Sequence, residues 1–265
     1  MRRRIMIALL ALALAVPAAL IGAFTVAVAR TPLPEVRLPE ATVIFDASGN
    51  IVARLFTQNR QTIPLSDMPQ YLLDAIVAVE DHHFYHHWGL DPRGIARAMV
   101  RNLSAGEIVE GGSTITQQLA KNLYLSHDRT LHRKLREAIL AAKLERKYSK
   151  NEILALYWNS IYLGAGTYGV EAAAQSYFGK HARDLTLAEA ALLAGLPRAP
   201  ENYSPLKNRE AARKRRNLVL DKMAEHGFIT RAQAEAAKQE PVRLVNAPDT
   251  PDAPDSPVSP SGREP

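Results

Sequence analysis

The feature that most constrains this fold is an uncharged run near the N-terminus. Residues 5–29 form a stretch of 25 positions without a charged side chain, and three arginines precede them at residues 2–4. The apolar core of a secretory signal spans roughly 7–15 residues, whereas a membrane-spanning helix needs about 20. Because the run is long enough to cross a bilayer, we predict a transmembrane anchor over residues 5–29 behind a cytoplasmic basic flank at residues 1–4.

A cleaved signal peptide is the alternative interpretation of this segment. The sequence Ala27-Val28-Ala29 has the small-residue pattern of a cleavage site. In either case the basic flank predicts that the chain after Arg30 lies outside the cytoplasm. The absence of cysteine excludes a disulfide framework, thiolate catalysis and cysteine-based zinc sites. The formal charge of +6 is modest and identifies no partner by itself.

The rest of the chain divides into a linker, one domain and a tail. Residues 30–40 contain three prolines and predict a short stiff linker. Within the domain, at residues 41–240, two β-prone runs at residues 42–45 and 51–56 predict a hairpin. Seven of the last 25 residues are proline, so residues 241–265 are expected to be a disordered tail.

Most of the domain has helical signals. Asp91-Pro92 predicts an N-cap followed by the first residue of a helix. Three capping-box pairs mark further helix starts, at Ser149/Glu152, Thr186/Glu189 and Thr230/Gln233. Apolar residues at helical spacing indicate two stripes, one of Ile95, Met99, Val100 and Leu103, the other of Leu131, Leu135, Ile139 and Ala142. The sequence therefore predicts a mainly α domain.

The first candidate site is the segment from Glu80 to Gly89, which contains four histidines. Zinc needs three or four converging ligands, and Gly89 and Pro92 interrupt the helix that would carry them, so zinc is disfavoured. A polar helix end on which Phe84 and Trp88 pack inward is a further alternative. We favour Glu80 as a general base, because it ends an apolar helix and burial raises the pKa of a carboxylate toward neutrality.

The second candidate site is the glycine-rich segment from Gly106 to Asn122. Its spacing resembles a P-loop, but Gly112 stands where the lysine is required and no apolar strand precedes it. A loop that enters a helix N-terminus still suits a phosphate. A plain loop with an N-cap is the alternative, and it leaves the polar side chains from Ser113 to Gln118 unexplained.

The third candidate site is a basic run that begins at Arg129. Arg133 and Lys134 precede Glu137 by four and three residues, so they lie on the same side of a helix. The run is either a solvated face with ion pairs or a cationic cradle for a diphosphate. It lacks the interleaved aromatic residues that bind nucleic acid, so nucleic acid is a poor fit.

Together these stretches resemble the motifs of peptidoglycan glycosyltransferases, glycosyltransferase family 51, which occur in monofunctional transglycosylases and in class A penicillin-binding proteins. The resemblance covers roughly residues 40–240, with five motifs in the family's order. Trp158 stands where the family usually has leucine. The five segments are Glu80–Gly89, Gly111–Asn122, Arg133–Glu137, Lys150–Asn159 and Ala190–Pro205.

The resemblance implies a lysozyme-like, two-lobed helical domain with a smaller, membrane-facing lobe. It also implies polymerisation of lipid II on the outer face of the bacterial cytoplasmic membrane. The growing lipid-linked glycan would be the donor and lipid II the acceptor. Inversion at the anomeric carbon would give a β-1,4 glycan and release undecaprenyl diphosphate. Other cell-wall synthesis proteins are candidate partners that the sequence does not identify.

The resemblance also assigns residues to roles. Glu80 matches the family's catalytic base, and Asp81 would bind substrate and position the first site. Glu137 matches the second glutamate, which would order the cations or help to hold a divalent metal, Mg²⁺ or Mn²⁺, on the diphosphate. Gln118 would donate a hydrogen bond near the diphosphate. The diphosphate ligands would be Lys121, Arg129 and Lys134, and the further substrate-binding residues Ser113, Thr114, Gln117, Arg133 and Asn159.

Three alternatives remain beside this interpretation. A lytic muramidase also uses a carboxylate in a helical fold, but hydrolysis does not require the cationic cradle. A fragment of a bifunctional penicillin-binding protein would carry serine transpeptidase motifs, whereas Ser204-Pro-Leu-Lys207 is the only S-x-x-K and no K-T-G follows. We therefore expect a monofunctional enzyme. A non-catalytic scaffold for cell-wall proteins is the third alternative.

Overall fold

The structure is a computed structural model in which most of the chain is described. Side chains are not described for residues 2, 3, 5, 7–14, 42–45 and 51–55, where only the backbone is considered. The described residues are 2–36, 38, 42–46, 48, 51–55, 59–107, 111–125, 128 and 130–245.

The described elements are mostly helical, as the sequence predicts. The helices are α1 (Arg2–Arg30), α2 (Gln70–Glu80), α3 (Pro92–Ala105), α4 (Ile115–Tyr124), α5 (Leu131–Lys147), α6 (Lys150–Ser160), α7 (Val170–Phe178), α8 (Leu187–Gly195), α9 (Arg209–Glu225) and α10 (Arg231–Gln239). The strands are β1 (Thr42–Phe45), β2 (Ile51–Leu55), β3 (Asn59–Arg60) and β4 (Thr167–Tyr168). Short 3-10 helices span Leu65–Asp67, Phe84–His86, Ala182–Asp184 and Leu196–Arg198.

The predicted hairpin is confirmed. Strands β1 and β2 pair antiparallel from Thr42 opposite Leu55 to Phe45 opposite Ile51, with an irregularity between Ile44 and Phe45. A second pairing was not predicted: β3 and β4 are parallel, with Arg60 opposite Tyr168. Two-residue strands carry almost no periodic signal, so this pairing could not be found from the sequence.

The helix starts follow the predicted caps. All three predicted capping boxes are present, at the starts of α6, α8 and α10. Pro92 opens α3 with Asp91 as its N-cap residue. Gly179 ends α7 in a left-handed conformation, at φ +67°, which glycine adopts without the steric cost of a Cβ atom. Helix α4 has a fourth capping box, formed by Thr114 and Gln117.

The core is built around two apolar helices, α2 and α8. Residues Leu72–Ala78 of α2 are buried except Asp74, and α8 is buried from Ala190 to Gly195. These two helices pack against each other and against α9. Because Glu80 is the last residue of α2, the packing of this helix places the carboxylate at the edge of the core.

The two predicted apolar stripes are wholly or partly exposed to solvent. The predicted stripe on α3 is exposed along Ile95, Met99, Val100 and Leu103, with only Gly94 and Ala98 of that helix buried. On α5 the predicted stripe is wrong in its first half, where Leu131 is 91% exposed. Burial of α5 begins only at Glu137, so its first two turns lie outside the core. Trp88 does not pack inward either, since it is 88% exposed, whereas Phe84 is buried as expected.

The ends of the domain also differ from the prediction. Residues 241–245, assigned to the tail, pack on the domain: Val242 is buried, and the Val245 N–H donates to the Tyr177 carbonyl at 2.9 Å. The predicted domain boundary at residue 240 is therefore too early, because apolar side chains in this segment reach the core. The rest of the predicted tail, residues 246–265, lies outside the described residues.

The N-terminal helix contacts the domain at its C-terminal end. Val28 is buried, and Lys143 Nζ of α5 donates to the Ala29 carbonyl at 3.4 Å. Within the described part of the chain, no helix is both long enough and apolar enough to cross a membrane. The predicted span at residues 5–29 falls partly outside that part, because the side chains of residues 5 and 7–14 are not described. The anchor stays a prediction.

Candidate active site

A cleft of about 640 Å³ opens beside the C-terminal end of α2. Its walls come from the segment that follows α2, from α3, from the loop that leads into α4 and from α9. Five residues that the sequence assigned to the site line this cleft: Glu80, Asp81, Ser113, Thr114 and Gln118.

Glu80 is a desolvated carboxylate with few polar contacts. Its side chain is 15% exposed, and Oε1 lies 3.7 Å from Arg215 Nη2. Oε2 accepts a hydrogen bond from Gln118 Nε2 at 2.7 Å. Burial raises the pKa of Glu80, while Gln118 and then the nearby Arg215 offset part of that rise. The predicted effect of burial on this carboxylate is confirmed, and it is what a general base near neutrality requires.

Gln118 is held by a second partner on α6. The Tyr157 hydroxyl donates to Gln118 Oε1 at 3.1 Å, which leaves the amide nitrogen to face Glu80. Burial, and then the charge of Glu80, raise the pKa of Tyr157 well above its ordinary value, so the phenol stays protonated. Gln118 therefore contacts the carboxylate rather than the cationic cluster near which the sequence predicted it.

The side chain of Arg215 packs against Gly195, the last residue of α8, and reaches Glu80. Its Nε donates to the Gly195 carbonyl at 3.1 Å, and the guanidinium carbon lies 5.6 Å from the ring centre of Tyr203. A Cβ atom at Gly195 would lie 2.8 Å from Arg215 Cγ. Because Gly195 has no Cβ, the side chain of Arg215 can pack closely against the last residue of α8, with its guanidinium 3.7 Å from the carboxylate.

Asp81 organises the start of α4. It is buried, and its carboxylate accepts from His87 Nε2 at 2.9 Å and from the Ile115 N–H at 3.0 Å. The Gly89 N–H donates to His87 Nδ1 at 3.2 Å, which places the imidazole proton on Nε2. Asp81 therefore satisfies a backbone donor at a helix N-terminus, a contact that stabilises the helix whether or not substrate is bound.

Thr114 and Gln117 have structural contacts of the same kind. Thr114 Oγ1 accepts from the Gln117 N–H at 3.1 Å and donates to the Gly89 carbonyl at 2.6 Å. Gln117 Oε1 accepts from the Thr114 N–H at 3.1 Å. The N-cap alternative therefore accounts for two of the five polar side chains from Ser113 to Gln118, and substrate binding by Thr114 and Gln117 stays a prediction.

A second carboxylate lies inside a cationic cluster on α5. Glu137 is 4% exposed; its Oε2 lies 3.0 Å from Arg133 Nη1, and its Oε1 accepts from Lys134 Nζ. Lys134 Nζ also donates to Ser113 Oγ at 2.9 Å, which joins the cluster to the loop before α4. The structure thus brings four predicted residues together, and we call Ser113, Arg133, Lys134 and Glu137 the cradle.

The other predicted residues lie outside the cradle or outside the described residues. Lys121 is exposed on α4, and its charge acts on Glu80. Asn159 is buried and clamps the backbone of Ile63, since Oδ1 accepts from its N–H at 3.0 Å and Nδ2 donates to its carbonyl at 2.9 Å. Arg129 lies outside the described residues.

The described residues do not fit a metal held by Glu137. Both of its oxygens already accept from cations. Across the described ranges, no three histidine or carboxylate side chains converge as metal ligands. The arrangement favours the role of Glu137 in ordering the cations. A divalent metal on the substrate diphosphate stays a prediction.

Sequence reasoning missed several cationic residues of the cleft. Arg97, Arg198, Arg215 and Lys222 line it, and His226 lines it as a neutral ring near pH 7, because burial lowers its pKa. Arg198 lies inside the fifth motif, so that motif contained a usable signal. Arg215 lies in the basic run at residues 213–216 of a helix, where charge alone does not tell which side chain turns inward.

The cleft thus contains a desolvated carboxylate, Glu80, and the hydroxyl of Ser113, which accepts a hydrogen bond from Lys134 of the cradle. The profile of one family, described as Transglycosylase, matches residues 48–224. The chain belongs to this family, and the recognition of a peptidoglycan glycosyltransferase domain of family 51, of the kind in class A penicillin-binding proteins, is confirmed.

The relatives that match are named penicillin-binding proteins. The chain is 52% identical over 206 residues to penicillin-binding protein 1A of Aquifex aeolicus, covering 78% of this chain and 28% of that protein. It is 44% identical over 207 residues to penicillin-binding protein 1F of Bacillus subtilis, covering 78% and 29%. A crystal structure of penicillin-binding protein 1A from Haemophilus influenzae matches with a TM-score of 0.45 and 28% identity, covering 82% of this chain and 22% of that one. The chain thus spans less than a third of the length of these relatives. The match of residues 48–224 to the Transglycosylase family favours the glycosyltransferase interpretation over the muramidase and the scaffold.

Proposed function

We propose that the protein polymerises lipid II into linear β-1,4 glycan strands, with Glu80 as the general base. The observation that carries this proposal is the connection of Glu80 to the cradle through one short segment. Gln118 contacts Glu80, and Ser113, five residues earlier, contacts Lys134. A base for the acceptor and cations for the leaving group are thereby held by the same loop and helix start.

The reaction needs a proton acceptor on the acceptor sugar. The 4-hydroxyl oxygen of lipid II attacks the anomeric carbon of the lipid-linked glycan, and its proton passes to Glu80. Burial raises the pKa of Glu80, which makes the carboxylate a stronger base than an exposed glutamate. Asp81 is the neighbouring carboxylate, and it supports this step by fixing the start of α4.

The reaction also needs stabilisation of the leaving group. The bond between the anomeric carbon and the diphosphate oxygen breaks, and the electron pair leaves with undecaprenyl diphosphate. Lys134 and Arg133 are held in place by Glu137, so they are oriented before charge develops on the phosphate. Preorganised donors of this kind stabilise a transition state strongly. Attack from the side opposite the diphosphate inverts the anomeric carbon and gives the β linkage.

Cell location follows from the same chemistry, because both substrates carry a polyprenyl chain. We propose that residues 5–29 anchor the domain on the outer face of the bacterial cytoplasmic membrane. One face of α3 lines the cleft through Arg97 and Arg101, and other side chains of this helix are exposed and apolar. These apolar side chains suit contact with a lipid surface. Intact mass of protein from cells tests the anchor: retention of residues 1–29 supports it, and a mature N-terminus at Arg30 contradicts it.

The decisive experiment is polymerisation of purified lipid II by the wild type and by Glu80→Gln. The substitution preserves shape but removes the proton acceptor, so we expect a loss of about 10²–10⁴-fold in turnover. Glu210→Gln is the matched control, because Glu210 is exposed on α9 and pairs only with Lys214 among the described ion pairs. Near-normal polymerisation by Glu80→Gln would refute the assignment, and hydrolysis of finished glycan would support the muramidase.

A further inference from the structure

The side chain of Gln118 is fixed at both ends. Its Nε2 donates to Glu80 Oε2 at 2.7 Å, and its Oε1 accepts from the Tyr157 hydroxyl at 3.1 Å. An ionised carboxylate can only accept, so the amide must turn its nitrogen toward Glu80 and its oxygen toward Tyr157. A hydroxyl both donates and accepts, but facing this oxygen it can only donate.

Tyr157 is built to remain that donor. It is fully buried on α6, with its ring at 6.1 Å from Trp158 in an edge-on arrangement. Burial raises the pKa of Tyr157 well above its ordinary value, and the charge of Glu80 raises it further. The phenol therefore keeps its proton over the range in which the enzyme can be assayed.

We propose that Tyr157 is a positioning residue for the base, acting through Gln118 to keep one oxygen of the Glu80 carboxylate hydrogen-bonded. Among the described residues nothing donates a hydrogen bond to the other oxygen, Oε1, and the nearest cationic atom is Arg215 Nη2 at 3.7 Å. Oε1 is then the oxygen that receives the proton of the acceptor hydroxyl. The inference rests on the proposed function of Glu80.

The groups around Glu80 define what a pH profile would report. Arg215 faces it from α9, Arg198 from the 3-10 helix after α8, Lys121 from α4 and Tyr157 from α6. The arginines and the lysine stay charged in weak acid, and Tyr157 stays neutral. Burial lowers the pKa of His82 to about 4 and also lowers that of His226, and both line the cleft, so the difference in the acid limb between variants, rather than the limb of one protein, reports the ionisation of Glu80.

Tyr157→Phe in the lipid II polymerisation assay tests the inference. Without the hydroxyl, the amide of Gln118 is free to rotate away from Glu80, and the ionised carboxylate loses its donor. We expect kcat near neutrality to fall about three- to tenfold, as for the loss of one hydrogen bond, with KM unchanged. The acid limb should move to higher pH, and activity should recover as the pH rises.

Tyr177→Phe is the matched control. Tyr177 is as fully buried as Tyr157, and its hydroxyl donates to the Leu163 carbonyl at 2.9 Å instead of to a residue of the cleft. The two variants lose the same atom from equally buried rings. Both should have a lower thermal midpoint, but only Tyr157→Phe should have a shifted pH profile.

A double-mutant cycle with Gln118→Met separates an effect of Tyr157 that acts through Gln118 from a direct effect of Tyr157 on Glu80. If Tyr157 acts through Gln118, then Tyr157→Phe adds no further shift of the acid limb in the Gln118→Met background. Additive shifts of the acid limb would overturn the inference, and so would a Tyr157→Phe pH profile that coincides with that of Tyr177→Phe. In both cases the proposed function stands as long as Glu80→Gln still abolishes polymerisation. If Glu80→Gln is fully active, the proposed function itself fails.

Discussion

Two glutamates of this site, the partly buried Glu80 and the buried Glu137, have contrasting surroundings. Glu80 ends an apolar helix, has a single hydrogen-bond donor from an amide among the described residues, and its nearest cationic atom lies at 3.7 Å. Glu137 lies on a basic helix and is paired directly with both Arg133 and Lys134. A carboxylate that must accept a proton gains from desolvation, whereas one that orders cations gains from direct pairing. The same side chain thus serves two roles because its neighbours differ.

After the loss expected for Glu80→Gln, the largest expected effect tests the Glu137 side of this comparison. Lys134→Ala removes a cation that donates to Glu137 and to Ser113. If Lys134 stabilises the departing diphosphate, turnover should fall roughly 10²-fold, comparable with the loss of one oxyanion donor. The thermal midpoint should change little, because the side chain is 45% exposed. The measurements are the steady-state rate of polymerisation and the affinity for a moenomycin-type phosphoglycolipid. Both the rate and the affinity should fall.

Lys214→Ala is the control for Lys134→Ala. Lys214 pairs with Glu210 one helical turn earlier on an exposed face of α9. Its loss should leave polymerisation and inhibitor affinity unchanged. Near-normal activity in both variants would mean that the basic run on α5 is a solvated face with ion pairs. The cradle would then have no role in binding the diphosphate.

The intermediate effect concerns Asp81, the carboxylate beside Glu80. Asp81→Asn places an amide where the carboxylate accepts from His87 and from the Ile115 N–H. We expect a loss of about 1–3 kcal/mol in the free energy of unfolding, typical of a buried donor left without its acceptor. Thermal and denaturant unfolding measure it, with Asp74→Asn, a half-buried aspartate of α2, as the control. An unchanged midpoint with lost activity would instead make Asp81 a substrate ligand, as the sequence predicted.

The sequence predicted those parts of the molecule in which local pattern determines structure. Capping boxes gave the starts of α6, α8 and α10, and the motifs identified both glutamates and the cradle. Burial is not local, however. Leu131 has the spacing of a core residue but is 91% exposed. Arg215 lies in a run that looks like a surface, yet its side chain packs against Gly195 of another helix and reaches Glu80.

The site residues show the same limit. Thr114, Gln117 and Asn159 belong to motifs, and a motif does not separate side chains that touch substrate from those that hold the fold. The structure gives these three contacts with the backbone. Tyr157 lies within the fourth motif, but the motif indicates no role for it, because its effect depends on a contact with Gln118, which is 39 residues away in the chain.

The smallest expected effect separates the two glutamates by the pH dependence of stability. Burial raises the pKa of Glu80 in the folded state above its ordinary value. The stability that Glu80 contributes is therefore fully present below the pKa of the unfolded chain and is lost as the pH rises through the folded pKa. Glu80→Gln stays neutral throughout, so its thermal midpoint relative to wild type should become more favourable as the pH rises above the unfolded value of about 4. Glu137→Gln should lower the midpoint at neutral pH, because Arg133 and Lys134 lose their shared carboxylate. Parallel midpoint curves for wild type and Glu80→Gln would mean that Glu80 titrates as an exposed glutamate does, and the contrast between the two carboxylates would disappear.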